Sequence, residues 1–91
     1  MMELPTISMF YGIIISMYFE KQGQHHTPHF HARYGDDKAE VDFEGNIIAG
    51  SLPPKQASLV KAWALIHQVD LETNWTLAMQ DELPFRIEPL K

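Results

Sequence analysis

The feature that most constrains this chain is a hairpin written across residues 28–43. Read with the two-residue period of a strand, Pro28-His29-Phe30-His31-Ala32-Arg33-Tyr34 separates into unlike faces, with Phe30, Ala32 and Tyr34 on one and His29, His31 and Arg33 on the other. Gly35-Asp36 follows, the Gly-X pair that a two-residue type II′ turn prefers, and Lys38 to Phe43 then alternates in the same sense. A two-residue turn sets Ala32 opposite Ala39 and Phe30 opposite Val41, which keeps both apolar rows on one face. The polar face follows by arithmetic: His31 across from Glu40, His29 across from Asp42, and Arg33 across from Lys38 with Glu40 on its diagonal.

That polar row is the candidate site. Two imidazoles and a guanidinium repeat roughly 7 Å apart along one strand face. Carboxylate neighbours are expected to orient the rings and raise their pKa values from a reference near ~6.5, into the range where histidines exchange protons at neutral pH. The plain alternative is a solvated strand face with no task, common in antiparallel sheets. Metal ligation is a third reading, because His25, His26, His29 and His31 fall close together and imidazole is the commonest metal ligand. No helical His-Glu-x-x-His spacing supports it, so the expected cofactor is none, with zinc as the exception to test.

The remaining segments supply a scaffold. Ile7 to Phe19 reads as one largely apolar central strand, bent or bulged at Gly12. Residues 20–28 are polar and turn-forming and read as a loop. Glu44-Gly45-Asn46 marks a second tight turn and Ile47 to Gly50 a short strand, so the expected sheet is an antiparallel meander of about four strands. Ser51-Leu52-Pro53-Pro54 suits a helix start, where proline lacks nothing the first turn needs. Leu59, Ala62, Trp63, Ile66 and Val69 recur at three and four and predict the buried stripe, with His67 on its border within reach of the strand histidines. Asp70 is the expected cap of a second helix from Leu71 that carries Asn74 and Trp75 and is stopped by Leu83-Pro84. Phe85 to Leu90 alternates between prolines like an edge strand.

The fold class expected is therefore α+β in a single domain, residues 1–91, with two C-terminal helices covering one face of the meander. No run approaches the ~20 apolar residues of a membrane span and no basic leader is visible, so a cytoplasmic location is expected. The lack of cysteine removes disulfides and thiolate metal sites. A net charge of −5 argues against nucleic acid held by broad phosphate neutralisation, so any RNA contact must be local.

Pro5-Thr6-Ile7-Ser8, Phe10-Tyr11-Gly12, Pro28-His29-Phe30-His31-Ala32, Gly50-Ser51-Leu52-Pro53, Trp63, Asn74-Trp75 and Arg86-Ile87-Glu88-Pro89-Leu90 stand in the order of the small bacterial domain of unknown function 4160 family, which the chain resembles over nearly its whole length. The resemblance implies a neighbouring gene for a small protein of the domain of unknown function 2442 type, with the pair forming a toxin–antitoxin module in which this chain is the toxin. It implies no catalytic residues.

Two functions of different class follow. In the first, the toxin cleaves RNA without metal: His29 and His31 act as general base and acid and Arg33 stabilises the developing phosphorane charge. In the second, the same strand face, with Glu40, Asp42, His67, Asn74 and Trp75 as binding residues, holds an anion, a metal or a partner protein without turnover. A variant of the second makes the chain an inert partner whose exposed strand edge accepts a neighbour's strand.

Overall fold

A computed structural model describes residues 5–20 and 27–91, so the reading of His25 and His26 lies outside the described residues. Five strands run in chain order across one antiparallel sheet: β1 (Thr6–Phe10), β2 (Ile13–Ser16), β3 (His29–Tyr34), β4 (Asp37–Asp42) and β5 (Ile47–Gly50). Two helices follow, α1 (Pro54–Ile66) and α2 (Gln68–Met79). The architecture is the expected α+β meander covered by C-terminal helices.

The central hairpin has the predicted register at every pair, from His29 opposite Asp42 through His31 opposite Glu40 and Arg33 opposite Lys38 to Tyr34 opposite Asp37. Its apolar rows enter one core: Phe30, Ala32, Ala39 and Val41 pack with Ile13, Ile15 and Met17 of the β2 region and with Val60, Trp63 and Ala64 of α1. Trp63 is fully buried, with Phe10 and Phe30 at ring distances of 5.6 and 5.4 Å.

Residues 7–19 do not form a single bent strand. Tyr11 and Gly12 both take positive φ, 49° and 79°, and close a two-residue hairpin between β1 and β2. Turns of that shape match the twist of the strands they join, and glycine supplies one of the two left-handed positions without strain. Tyrosine in the other is what hides the turn from a reading of sequence, because no Asn-Gly or Asp-Gly pair announces it.

The helical face also differs from the expected stripe. Ile66, Val69 and Ala62 are exposed, and the core face is built instead from Val60, Trp63 and Ala64 of α1 and Leu71, Asn74, Trp75 and Ala78 of α2. Apolar side chains surround α1, so spacing alone could not choose its inner face. The helix also ends earlier than expected. His67 is the junction, its N–H bonding Trp63 and Ala64 carbonyls, and α2 starts at Gln68, so Asp70 is a first-turn residue and not the cap. An acidic side chain there is favoured by the positive helix end. No side-chain cap, from Ser51 or otherwise, closes the start of α1.

The second helix stops at Met79, well short of Pro84, in a Schellman arrangement: Asp81 N–H bonds Ala78 O, Glu82 N–H bonds Leu77 O, and Asp81 takes a φ of 60°. Residues 85–90 are extended but form no strand. Ile87 N–H donates to Ile7 O at 2.7 Å, which lays the segment beside β1. Among the described residues no helix is long and apolar enough to cross a membrane.

Candidate functional site

The alternation that sends Phe30 and Ala32 into the core turns His29 and His31 to the other face, and Glu40 joins them from β4. His29 is 3 % exposed, unusual for so polar a side chain on a face that parity would give to solvent. Trp75 explains it. The indole packs 5.4 Å from the His29 ring, 5.4 Å from Phe19 and 6.2 Å from Phe43, so one aromatic side chain of α2 walls this end of the sheet.

The hydrogen bonds fix the chemistry of each ring. His29 Nδ1 lies 2.7 Å from the Thr27 carbonyl oxygen; a carbonyl only accepts, so Nδ1 carries the proton and Nε2 of the neutral ring presents a lone pair. That Nε2 stands 3.2 Å from Glu40 Oε1 and makes no hydrogen bond. His31 Nδ1 faces the Tyr18 hydroxyl at 3.5 Å, with the two rings stacked at 4.3 Å and 6°. The Tyr18 hydroxyl is hydrogen bonded to Glu20, whose carboxylate accepts, leaving the tyrosine oxygen free to accept from His31 Nδ1. Like that of His29, the His31 Nε2 is buried and makes no hydrogen bond among the described residues.

One ligand atom from each of His29, His31 and Glu40 lies within 4.8 Å of the other two. Two buried imidazole lone pairs and a carboxylate oxygen therefore converge with no donor among them, an arrangement that favours a bound cation. The electrostatics agree in direction. Burial, followed by the neighbouring His29, lowers the His31 pKa against the smaller opposing pull of Glu40 and Glu20. The expected rise for this ring is thus reversed, because desolvation outweighs the carboxylates. Burial and the nearby Glu20 push the Tyr18 hydroxyl up, so it stays protonated.

The other sequence candidates lie elsewhere. Asp42 is opposite His29 in register, but its Oδ1 accepts from the N–H groups of Glu44 and Asn46 at 3.0 and 2.9 Å. Its carboxylate is committed to the β4–β5 turn, and His29 meets the diagonal Glu40 instead. Arg33 is exposed and two pairs further along the strand, between Ile14 and Lys38. His67 packs 5.5 Å from Trp63 and faces Asp70 at 3.8 Å, with no contact to the strand histidines. Asn74 is fully buried and clamps Phe85: its Nδ2 donates to Phe85 O at 2.8 Å and its Oδ1 accepts from Phe85 N–H at 2.9 Å. Of the binding candidates, Glu40 and Trp75 reach the histidines.

Tyr18, Glu20 and the Thr27 carbonyl are the members that sequence reasoning missed. A signal for Tyr18 exists: Ser16 pairs with His31, and Tyr18 lies two residues on, on the same face. A separate cleft of about 440 Å³, lined by Tyr11, Tyr34, Lys55, Gln56 and Leu59, lies away from this cluster and contains none of its residues.

Comparison with curated proteins and with solved structures finds no match to either. Comparison with protein families finds one described as Domain of unknown function (DUF4160), matched over residues 12–76, a span that runs from the β1–β2 turn through the whole histidine cluster to the residue after Trp75. The chain belongs to the DUF4160 family.

Proposed function

We propose that the chain is a binding module working through the pocket of His29, His31 and Glu40, and that the growth-arresting role its family resemblance implies runs through what this pocket holds. The observation that carries this reading is the burial of both Nε2 atoms without a hydrogen-bond partner among the described residues, with the Glu40 carboxylate beside them. A general base must come within ~2.6–3.2 Å of the proton it removes, and His29, one of the two rings that cleavage would need, is 3 % exposed and packed on Trp75. Arg33, the expected stabiliser of the phosphorane, is exposed two strand pairs away, beside Lys38. Metal-independent RNA cleavage is the weaker of the two readings on these grounds. In the cell the module is cytoplasmic and its partner is the small neighbouring protein of the domain of unknown function 2442 type.

The test is cleavage of RNA by chelator-treated protein, set beside growth of bacteria expressing wild type or Arg33→Ala. The expected result is intact RNA and equal growth for the two chains. RNA cut by the metal-free wild type, and spared by folded His31→Ala, would overturn the reading in favour of histidine acid–base catalysis.

A further inference from the structure

Three side-chain atoms of this fold are accounted for by neither packing nor backbone. The cleft beside Tyr11 and Tyr34 contains no buried polar group, and the exposed Leu65, Ile66 and Val69 have nothing on them that identifies a cover. The buried Ser8 hydroxyl has no partner but also no titratable or metal-ligating neighbour in the described clusters. His29, His31 and Glu40 are different. One ligand atom of each lies within 4.8 Å of the other two, and each ring has its Nδ1 facing an oxygen.

We propose that His29 Nε2, His31 Nε2 and a Glu40 carboxylate oxygen form a site for one first-row divalent transition-metal ion, zinc among them. Three features argue for it. The donor set, two imidazoles and one carboxylate, suits such ions and not the oxygen-loving calcium or magnesium. Ligands bound at ~2.0–2.1 Å to one ion stand about 3 to 3.4 Å from each other, and His29 Nε2 and Glu40 Oε1 are already 3.2 Å apart. A carboxylate oxygen this close to a ring nitrogen calls for a positive charge between them, which a metal ion held by both supplies as a proton would.

The outer contacts have the form that metal-bound histidines use. The second ring nitrogen of each donates to an oxygen, for His29 the Thr27 carbonyl, for His31 the Tyr18 hydroxyl backed by Glu20. Such contacts fix the tautomer that leaves Nε2 free and hold the ring in place. Tyr18 is thus a positioning residue. Glu40 has a side chain 29 % exposed, so the cluster reaches solvent on the Glu40 side. Three protein ligands leave further positions of the ion to water or to an incoming group.

This assignment rests on the binding-module reading, but the two fail separately, since a chain indifferent to metal can still bind another ligand and a metal-free ribonuclease would defeat the parent reading alone. The experiment is calorimetric titration of the full chain, stripped of metal, with zinc, repeated with cobalt to read the ligand field by visible absorption. A single tight equivalent is expected. Loss of an outer-shell partner weakens metal binding by ~10–100-fold, so Tyr18→Phe should lose about that much, and His31→Gln and Glu40→Gln should lose more. Replacing His25 and His26 together with alanine should leave the affinity within about threefold, a margin well inside the loss expected from removing even an outer-shell partner. His29→Ala opens a space beside Trp75 that endangers folding, and the partly exposed Glu40 and the conservative Tyr18→Phe keep the test decisive. No zinc binding by wild type, binding that survives in folded His31→Gln and Glu40→Gln, or binding that disappears with His25 and His26 would each overturn the site.

Discussion

Two buried polar regions in this small fold are finished in opposite ways. Around Asn74 and Trp63 every polar atom has its partner: the Asn74 amide pairs with both backbone groups of Phe85, and the Trp63 indole N–H donates to Glu88 O at 2.8 Å. Around His29 and His31 two buried nitrogens make no hydrogen bond among the described residues. Both regions lie against the same helices, and Asn74 and Trp75 are adjacent in the chain. The difference teaches how to tell scaffold from site here. Satisfied polar groups rigidify a core, whereas an unpaired buried donor or acceptor costs free energy that folding alone does not recover.

The contrast breaks most visibly through stability. Trp63→Ala removes the centre of the core and the tether to Glu88, and should cost about 3–5 kcal/mol, read by urea denaturation; a cost below ~1 would mean that the tail and core are independent. Asn74→Ala leaves the Phe85 groups to water and its own site a cavity, with an expected loss of about 1–3 kcal/mol. Neither should alter the pocket. His31→Phe in metal-free protein sharpens the comparison from the other side. It keeps a ring on Tyr18 and deletes an unpaired buried nitrogen, so stability should stay within about 1 kcal/mol of wild type or rise. A loss as large as that of Asn74→Ala would put the histidine in the scaffold.

Acid separates the regions further. Burial lowers the His31 pKa in the folded chain, so below the ordinary imidazole value near ~6.5 the unfolded chain binds more protons at this position, and stability of the metal-free protein falls as pH drops through that value. His31→Phe should flatten that part of the profile in pH-dependent thermal melts, while Asn74→Ala should shift the curve without reshaping it. The smallest effect is expected at Arg33: exposed and on neither side of the comparison, its alanine variant should stay within ~0.5 kcal/mol.

The β3–β4 hairpin was legible from parity and one turn, because a two-residue connection leaves a single register that buries Phe30, Ala32, Ala39 and Val41 together. What side chains do within that register was less so. Asp42 has the right row to meet His29, but the turn at residues 43–46 needs an acceptor and takes it, which local sequence hints at only through Asp42 standing before Glu44-Gly45-Asn46. The Trp75 wall could not be read from spacing, since it depends on where α1 ends. The chain breaks at His67 where apolar spacing continues through Ile66 and Val69, and that break decides which residues of α2 face inward.

Ile87, bonded to Ile7 at the outer side of β1, has a consequence for assembly. Meanders of this kind have two rims of unpaired backbone, and here the C-terminal segment, anchored by Asn74 and Trp63, occupies one of them. Among the described residues the β5 rim is the one left to recruit a foreign strand. Growth through a single rim ends once two sheets have met, so fibrils built by sheet extension are denied a second sticky end.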